Sequence, residues 1–262
     1  MWVQELEVAT QAAKEAGVLL NKEFGHVQQI MKKGEIDLVT EADLKSESLI
    51  LDIISKHFPN DNILSEEKGD KKQASTRIWL VDPLDGTTNF AHGFPFFCVS
   101  IALQVHHQLV VGVVYNPYVN ELFQAAEGHG ARLNGHPIRV SQTDKIGEAL
   151  LGTGFPYDIH QRSKSVLDLF RRMVLVAQGV RRVGSAALDL CYVAAGRLDG
   201  FWEQSLKPWD TAAGCVILQE AGGVLSTFDG GQYTPYENTI VGSNLYIYEQ
   251  MMSVIKEVEA KN

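Results

Sequence analysis

The chain contains 262 residues, of which 45% are hydrophobic and 21% are charged, and its formal net charge is −9. These proportions are those of an ordinary globular protein, and the length suits one large domain or two closely packed halves. The acidic balance disfavours a nucleic-acid-binding protein, because such proteins usually carry a basic stripe. An anionic substrate is compatible with it, since bound cations can reverse the local sign of the charge.

Three cysteines, at positions 98, 191 and 215, lie in apolar runs and form no CxxC pair. An odd number of thiols in such runs favours a reducing compartment. The first residues lack the basic and then apolar pattern of a signal peptide, and no apolar run reaches the roughly 20 residues that cross a bilayer. We therefore expect a cytoplasmic protein with no membrane contact.

Two helices are predicted in the first part of the chain. Apolar or small residues recur every three or four positions from Val3 to Phe24, as on one face of a helix. The polar stretch at 31–37 is interpreted as a loop. Thr40 followed by Asp43 is typical of a capping box. It predicts a second helix whose buried face carries Leu49, Ile50, Ile53, Ile54 and Phe58.

The middle of the chain is rich in predicted strands, and the second half in predicted helices. Strands are predicted at 77–81, 98–105, 109–115 and 121–126, with a hairpin between the second and the third. Helices are predicted at 163–178, 186–195 and 208–221, followed by a strand at 224–228. Strands followed by helices indicate a layered α/β architecture.

The strongest chemical signal is the segment WLVDPLDGTTNF, which begins at residue 79. A strand delivers Asp82 at its end, a proline then interrupts ladder pairing, and Asp85 follows just before Gly86. Thr87 and Thr88 add hydroxyls, and the backbone N–H groups of a helical turn starting there would form an anion site. Mg²⁺ typically binds one or two carboxylates together with substrate phosphate. The segment therefore predicts a magnesium site beside a phosphate site.

The alternative interpretation of this segment is an Asp-Gly turn capped by threonines. It explains Asp85 but not Asp82, because no lysine or arginine lies between Arg77 and Phe97. Two carboxylates about 4 Å apart repel each other by roughly 4 kcal/mol at an effective dielectric constant of 20. A bound metal is the simplest source of the positive charge that would offset this repulsion.

Three further carboxylates are candidates, although each has a structural explanation of its own. Glu66 lies in a Ser-Glu-Glu segment that could be a solvated acidic loop. Asp210 follows Pro208, which suits the first turn of a helix, and an aspartate there interacts favourably with the helix N-terminus. Asp43 serves equally well as the capping residue of the second predicted helix.

Two long segments, at 79–92 and 209–223, are similar to the signatures of the inositol monophosphatase family, particularly of its bacterial members. Segments at 184–190 and 196–200 match the bacterial pattern as well, and the resemblance covers essentially the whole chain. It implies a five-layer αβαβα sandwich of the sugar phosphatase type.

The same resemblance implies a single domain over 1–262. One half, at about 1–145, would carry the metal and phosphate motifs. The other half, at about 146–262, would carry the substrate side and the last metal ligand.

An enzyme that hydrolyses small phosphate monoesters with Mg²⁺ is also implied. Two to three Mg²⁺ ions per site are expected, with Mn²⁺ as a substitute and Li⁺ as an inhibitor, and the enzyme is expected to be a homodimer. The favoured substrate is inositol 1-phosphate. Fructose 1,6-bisphosphate, adenosine 3′,5′-bisphosphate, NADP and histidinol phosphate are alternatives, because related enzymes act on them.

Residue roles follow from the resemblance position by position. The metal ligands would be Glu66, Asp82, the carbonyl of Leu84, Asp85 and Asp210. Catalysis would involve Asp43, Glu66 and Thr87, with Asp43 and Thr87 orienting or activating the attacking water. The substrate would contact Lys32, Gly86, Thr87, Thr88, Ser185, Ala186, Glu203 and Asp210.

A different class of function stays open. Some bacterial relatives act as accessory factors bound to the transcription machinery, and under that interpretation the fold is a binding module. Four arginines, at positions 171, 172, 181 and 182, could mark a partner surface, a subunit contact or a site for a second phosphate. The acidic net charge and the complete carboxylate set favour the enzyme.

Overall fold

The computed structural model describes residues 1–26, 30–32, 38–71 and 74–260, and it consists of alternating layers of helices and sheets. A helix pair, a large sheet, a second helix pair, a small sheet and a third helix pair follow one another. Each sheet thereby buries both of its faces. The predicted αβαβα sandwich is confirmed.

The first helix pair consists of α1 (Val3–Glu23) and α2 (Glu41–His57), which pack against each other and against the large sheet. Between them along the chain, β1 (Ile30–Lys32) and β2 (Leu38–Thr40) form an antiparallel ribbon. The loop predicted at 31–37 is therefore wrong for its first two residues, which belong to β1. The rest of that loop lies outside the described residues.

The large sheet contains eight strands from the first half of the chain. They are β3 (Asn62–Ser65), β4 (Gly69–Lys71), β5 (Arg77–Asp85), β6 (Cys98–Val105), β7 (Gln108–Asn116), β8 (Glu121–Ala126), β9 (Ala131–Leu133) and β10 (His136–Pro137). Their order in the sheet is β10-β9-β8-β7-β6-β5-β3-β4. All neighbours are antiparallel except β3 and β5, and a short helix, α3 (Thr87–Ala91), directly follows β5.

The small sheet contains five strands from the second half of the chain. They are β11 (Leu150–Thr153), β12 (Gly179–Arg181), β13 (Gly200–Gln204), β14 (Val224–Ser226) and β15 (Thr239–Ser243), in the order β12-β11-β13-β15-β14. β11 is parallel to both of its neighbours. The outer face of the small sheet is covered by α4 (Ile159–Val176) and α7 (Tyr248–Glu259).

The middle helix pair, α5 (Ala186–Ala194) and α6 (Pro208–Glu220), lies between the two sheets. Nearly every residue of α5 and most residues of α6 are buried. A helix that is apolar all round must be covered on every side, and the two sheets provide that cover. The first residues of both helices are thereby held at the junction of the two sheets.

Most predicted elements are confirmed, with shifted ends. The strand predicted at 121–126 is β8 without change, and the predicted hairpin is β6 and β7. β5 continues past its predicted end to Asp85, and α4 begins at Ile159 rather than at residue 163. The short strands β1–β4, β9–β13 and β15, and the helix α7, were not predicted.

All three cysteines are buried free thiols, which matches the apolar runs in which they occur. Within the four described ranges of the chain, no helix has the length and apolar character needed to span a membrane.

Candidate active site

One cavity of about 360 Å³ lies where the two sheets meet the middle helices. Its lining includes most of the predicted site residues, namely Glu66, Asp82, Leu84, Asp85, Gly86, Thr87, Thr88, Ser185, Ala186, Glu203 and Asp210. Two predicted residues are not in this lining. Asp43 lies behind Thr87, and the side chain of Lys32 is outside the part of the chain that the structure describes.

The prediction that the strand ends at Asp82 is wrong, because β5 continues through a bulge to Asp85. Asp82 lies opposite Ser100 and Asp85 lies opposite Cys98, so the register between β5 and β6 shifts by one residue. Pro83 explains the interruption, because proline cannot donate to the ladder. In a regular strand, residues three positions apart point to opposite faces. The bulge re-aims one of them, so both carboxylates reach the same cavity.

Gly86 turns the chain from β5 into α3 with a φ of 91°. Residues with a Cβ atom are strained in this left-handed region. A Cβ atom at this position would also lie 2.9 Å from the carbonyl oxygen of Phe96. Both features require glycine at the start of α3.

Gly86→Ala is expected to lower the free energy of unfolding by about 2–4 kcal/mol, because backbone strain adds to a clash with rigid backbone. Urea unfolding followed by tryptophan fluorescence measures the change. Gly93→Ala is the matched control, since Gly93 also has a positive φ of 70° but has no atom within 4 Å of the added Cβ. Equal losses in the two variants would contradict the importance of the contact with Phe96.

Asp43 makes both a capping contact and a contact toward the cavity. Its Oδ2 accepts hydrogen bonds from the backbone N–H and the Oγ1 of Thr40, at 2.9 and 2.5 Å, which close the start of α2. Its Oδ1 lies 3.1 Å from the donor Oγ1 of Thr87, which is also 3.0 Å from the carbonyl oxygen of Leu84. Burial raises the pKa of Asp43 to about 6, although the hydrogen bonds from Thr40 and Thr87 oppose this.

Glu66 lines the cavity from the turn that follows β3. Its backbone N–H donates to the carbonyl of Val81 at 3.2 Å. The next two N–H groups, of Glu67 and Lys68, donate to Oε1 of Glu47 at 3.1 and 2.9 Å. Glu47 is fully buried on α2. The acidic segment is therefore a turn anchored to β5 and α2, not the solvated loop that was its alternative interpretation.

Asp85 and Asp210 are held by groups at the starts of α5 and α6. Oδ2 of Asp85 accepts from Oγ of Ser185 at 2.6 Å and from the backbone N–H of Ala187 at 2.9 Å. Oδ2 of Asp210 accepts from the backbone N–H of Lys207 at 2.7 Å. Asp210 is thus a helix-start residue, as one interpretation predicted, and it also lines the cavity.

Burial raises the pKa values of three of these carboxylates, and neighbouring negative charges add to the rise for Asp82 and Asp210. Burial, followed by the negative charges of Glu66, Asp85 and Asp210, raises the pKa of Asp82 well above its usual range. Burial and the charge of Asp85 raise the pKa of Asp210 in the same way, although Lys207 opposes them. Burial also raises the pKa of Asp85 to about 6, against the hydrogen bond from Ser185. Ionising the whole cluster therefore requires added positive charge.

The available donor atoms fit a hard divalent cation. Carboxylate and carbonyl oxygens suit Mg²⁺, and such oxygens come from Glu66, Asp82, Leu84, Asp85 and Asp210 in the lining. Among the described residues, no three histidine, cysteine, aspartate or glutamate side chains form a ready-made metal cage. Mg²⁺ typically keeps several waters and shares substrate phosphate oxygens rather than occupying an all-protein cage.

Glu203, Arg182 and Gly154 form a further part of the lining. Burial and then the charge of Asp210 raise the pKa of Glu203 well above its usual range, and Arg182 opposes this. The guanidinium carbon of Arg182 lies 5.6 Å from the ring centre of Phe155. Of the four arginines considered from the sequence, Arg182 thus lines the cavity, whereas Arg172 pairs with Glu257 at 2.9 Å between the outer helices.

Glu47, Asn89 and Gly154 were not singled out from the sequence. Glu47 lies four residues after Asp43, so helical spacing places it on the same face of α2 and could have identified it. Asn89 donates to the carbonyls of Phe96 and Val183 at 2.7 and 2.9 Å. Its place within the signature segment was the available signal. Gly154 carried no signal in the sequence, since its role depends on a distant strand.

Solved structures with the same layers define the class of protein. The extragenic suppressor protein SuhB from Bartonella henselae matches with a TM-score of 0.93 and 41% identity, over 97% of this chain and 99% of that chain. The inositol monophosphatase from Anabaena (Nostoc) sp. PCC 7120 matches with a TM-score of 0.88 and 41% identity, over 97% and 96% of the two chains.

The chain belongs to the inositol monophosphatase family, whose sequence model matches residues 2–261, and it is therefore a phosphatase. It is 46% identical over 252 residues to the inositol-1-monophosphatase of Synechocystis sp., covering 95% of this chain and 88% of the relative. The inositol-1-monophosphatase of Mesorhizobium japonicum is 44% identical over 255 residues, and Nus factor SuhB of Escherichia coli K12 is 40% identical over 255 residues. Both of these alignments cover 96% of each chain.

Proposed function

We propose that this phosphatase hydrolyses inositol 1-phosphate to inositol and phosphate with Mg²⁺ as its cofactor. The observation that carries the proposal is the cavity, in which acidic groups from β5, the turn after β3 and the start of α6 face Thr87 and Thr88. The names of the relatives from Synechocystis and Mesorhizobium support inositol 1-phosphate as the substrate.

Glu66, Asp82, the carbonyl of Leu84, Asp85 and Asp210 would hold Mg²⁺. When bound, Mg²⁺ offsets the charge of the phosphate and lowers the pKa of water, so that a nucleophile is available near neutral pH. Gly86, Thr87 and Thr88 would hold the phosphate through backbone N–H groups and hydroxyls. The first N–H groups of a helix have no partner within it and are therefore available to an anion.

Asp43 and Thr87 would orient the attacking water. Oδ1 of Asp43 accepts from the Thr87 hydroxyl at 3.1 Å, which fixes where that hydroxyl can present its lone pairs. Ser185, Ala186 and Glu203 would contact the alcohol part of the substrate, and Lys32 would be a further contact. Positioning and charge stabilisation are expected to provide most of the catalysis, without a covalent intermediate on the chain.

Phosphate release from a panel of esters tests this function directly. Inositol 1-phosphate, fructose 1,6-bisphosphate, adenosine 3′,5′-bisphosphate, NADP and histidinol phosphate would be compared at saturating Mg²⁺. We expect the highest kcat/KM for inositol 1-phosphate, partial activity with Mn²⁺ and inhibition by Li⁺. Equal release in excess chelator would contradict the metal assignment, and a preference for another ester would replace the substrate.

A second role is supported by the similarity to Nus factor SuhB. In this role the chain would be an accessory factor of transcription, and it would act through its surface rather than through the cavity. A pull-down of RNA polymerase and elongation factors by the Asp85→Asn protein separates the two roles. Capture by the inactive Asp85→Asn protein would support the binding role. No capture by either the wild type or the variant would contradict it.

We also propose that the protein is a cytoplasmic homodimer, as the family resemblance implies. Light scattering coupled to size-exclusion chromatography measures the mass in solution. A mass near 29 kDa, that of one chain, would contradict the dimer.

A further inference from the structure

Glu203 is a buried acceptor that lines the cavity without a donor from the described chain. Its exposed fraction is 8%, and none of the residues that the structure describes donates a hydrogen bond to its carboxylate. A carboxylate in this setting is costly unless donors reach it. A ligand that brings hydroxyl groups would supply those donors.

The space that this carboxylate occupies is provided by Gly154. β11 and β13 run parallel with Thr153 opposite Trp202, so position 154 lies beside position 203. A Cβ atom on Gly154 would lie 2.2 Å from both Oε1 and Oε2 of Glu203. The carboxylate of Glu203 therefore fills the place that a side chain at position 154 would take.

We propose that Gly154 is a specificity-determining residue that acts by positioning Glu203. The missing side chain allows the carboxylate to lie against the end of β11, from where it accepts hydrogen bonds from the hydroxyls of a polyol phosphate. This inference rests on the proposed phosphatase function and deepens it. It names two positions, a glycine at the end of one strand and a carboxylate on the next, that select phosphate esters of hydroxyl-rich alcohols.

Gly154→Ala tests the proposal with two esters. For inositol 1-phosphate, kcat/KM is expected to fall about 10- to 100-fold, mainly through KM, because hydrogen bonds to a charged acceptor are lost. Phenyl phosphate has no further hydroxyl on its alcohol, so its kcat/KM is expected to change by no more than about threefold. The atoms displaced are the end of a flexible side chain, so the variant is expected to fold, which thermal unfolding checks.

Gly152→Ala is the matched control, two residues earlier in the chain and within β11. Its added Cβ would meet Leu198 at 3.0 Å and Asp189 at 3.5 Å, but not Glu203. It is expected to change kcat/KM for both esters by the same factor. A selective loss for inositol 1-phosphate in this control, or an equal loss for both esters in Gly154→Ala, would overturn the proposal.

A double-mutant cycle shows whether Gly154 acts through Glu203. In a Glu203→Ala background, Gly154→Ala is expected to cause no further loss, and additive losses would overturn the proposal. If Gly154→Ala alone unfolds, the double variant is expected to fold because the clash is gone, and unfolding of both would overturn it. A wild-type protein that hydrolyses neither ester with Mg²⁺ would instead remove the proposed function, and this inference with it.

Discussion

Replacement of Asp85 by asparagine is expected to lower kcat by about 1000-fold or more while the fold survives. Asparagine keeps one carbonyl oxygen, which can still accept from Ser185 and Ala187. The second, charged oxygen becomes an amide N–H₂ group, which cannot bind a cation. Loss of several kcal/mol of charge stabilisation corresponds to a fall of about this size. Initial rates of phosphate release from inositol 1-phosphate at saturating Mg²⁺ measure it.

Two further variants make the Asp85 result specific. Asp52→Asn changes an exposed aspartate of α2 and is expected to leave kcat unchanged. Ser185→Ala removes one of the hydrogen bonds that fix the Asp85 carboxylate and keeps its charge, so we expect an intermediate loss of about 10-fold. Mg²⁺-dependent turnover near the wild-type rate in Asp85→Asn, with an unchanged melting temperature, would contradict the assignment of Asp85 as a metal ligand.

The part of the candidate site that could be predicted from residue chemistry is local in sequence. Asp82 and Asp85 lie three residues apart in a segment without basic residues, so their mutual repulsion could be inferred from the sequence alone. Glu66 and Asp210 each had an adequate local explanation, and only the family resemblance placed them at the site. Their carboxylates meet Asp82 through the pairing of β3 with β5 and the packing of α6 on the large sheet. Such tertiary contacts leave no periodic pattern.

The residues missed at the site share one property, which is that their roles depend on a partner far along the chain. Gly154 matters because of Glu203, and Glu47 matters because of the N–H groups at 67 and 68. Asn89 matters because it donates to the carbonyl of Val183, which lies far along the chain. Helical spacing places Glu47 on the same face of α2 as Asp43, but neither composition nor spacing encodes the distant partners of these residues.

The fold was predicted best where elements are long. β6 and β7 form a hairpin with a two-residue turn at His106 and His107, where both residues have positive φ, and strands of this kind have a clear β pattern. The strands of the small sheet are three to five residues long, too short for a period to be recognised. Helix α7 could have been predicted, because Met251, Ile255 and Val258 have helical spacing. The predicted elements ended at residue 228.

Mg²⁺ is expected to raise the melting temperature more at pH 7.5 than at pH 5, because the buried carboxylates of the site hold protons at the lower pH. The pKa of Asp43 rises from 3.8 to about 6 on folding, mainly through burial. The folded state therefore holds more protons than the unfolded state between these pH values. The stability contribution of Asp43 is full below pH 3.8 and is lost as the pH rises through 6, by about 3 kcal/mol. Asp85 changes in the same direction.

Without divalent cations, the melting temperature is thus expected to fall as the pH rises from 5 to 7.5. Mg²⁺ at about 100 times its Kd would add about 2.7 kcal/mol at pH 7.5, which is about 5 °C for a chain of this length. At pH 5 the rise would be smaller, because protons compete with the metal for the carboxylates. Differential scanning calorimetry with EDTA or Mg²⁺ at both pH values measures the four melting temperatures.

Asp82→Asn separates metal binding from a general salt effect. The pKa of Asp82 is raised by burial and by the charges of Glu66, Asp85 and Asp210, so removing its charge relieves repulsion that the metal-free protein must bear at pH 7.5. Asparagine can still accept from the N–H of Leu84, as Oδ1 does at 2.9 Å. The variant is therefore expected to melt higher than the wild type in EDTA and to gain little from Mg²⁺. The negative charge of Asp82 both destabilises the metal-free protein and strengthens its binding of Mg²⁺, so one substitution is expected to change both properties. A wild-type-sized gain from Mg²⁺ in this variant would show that the cation stabilises the protein at another site.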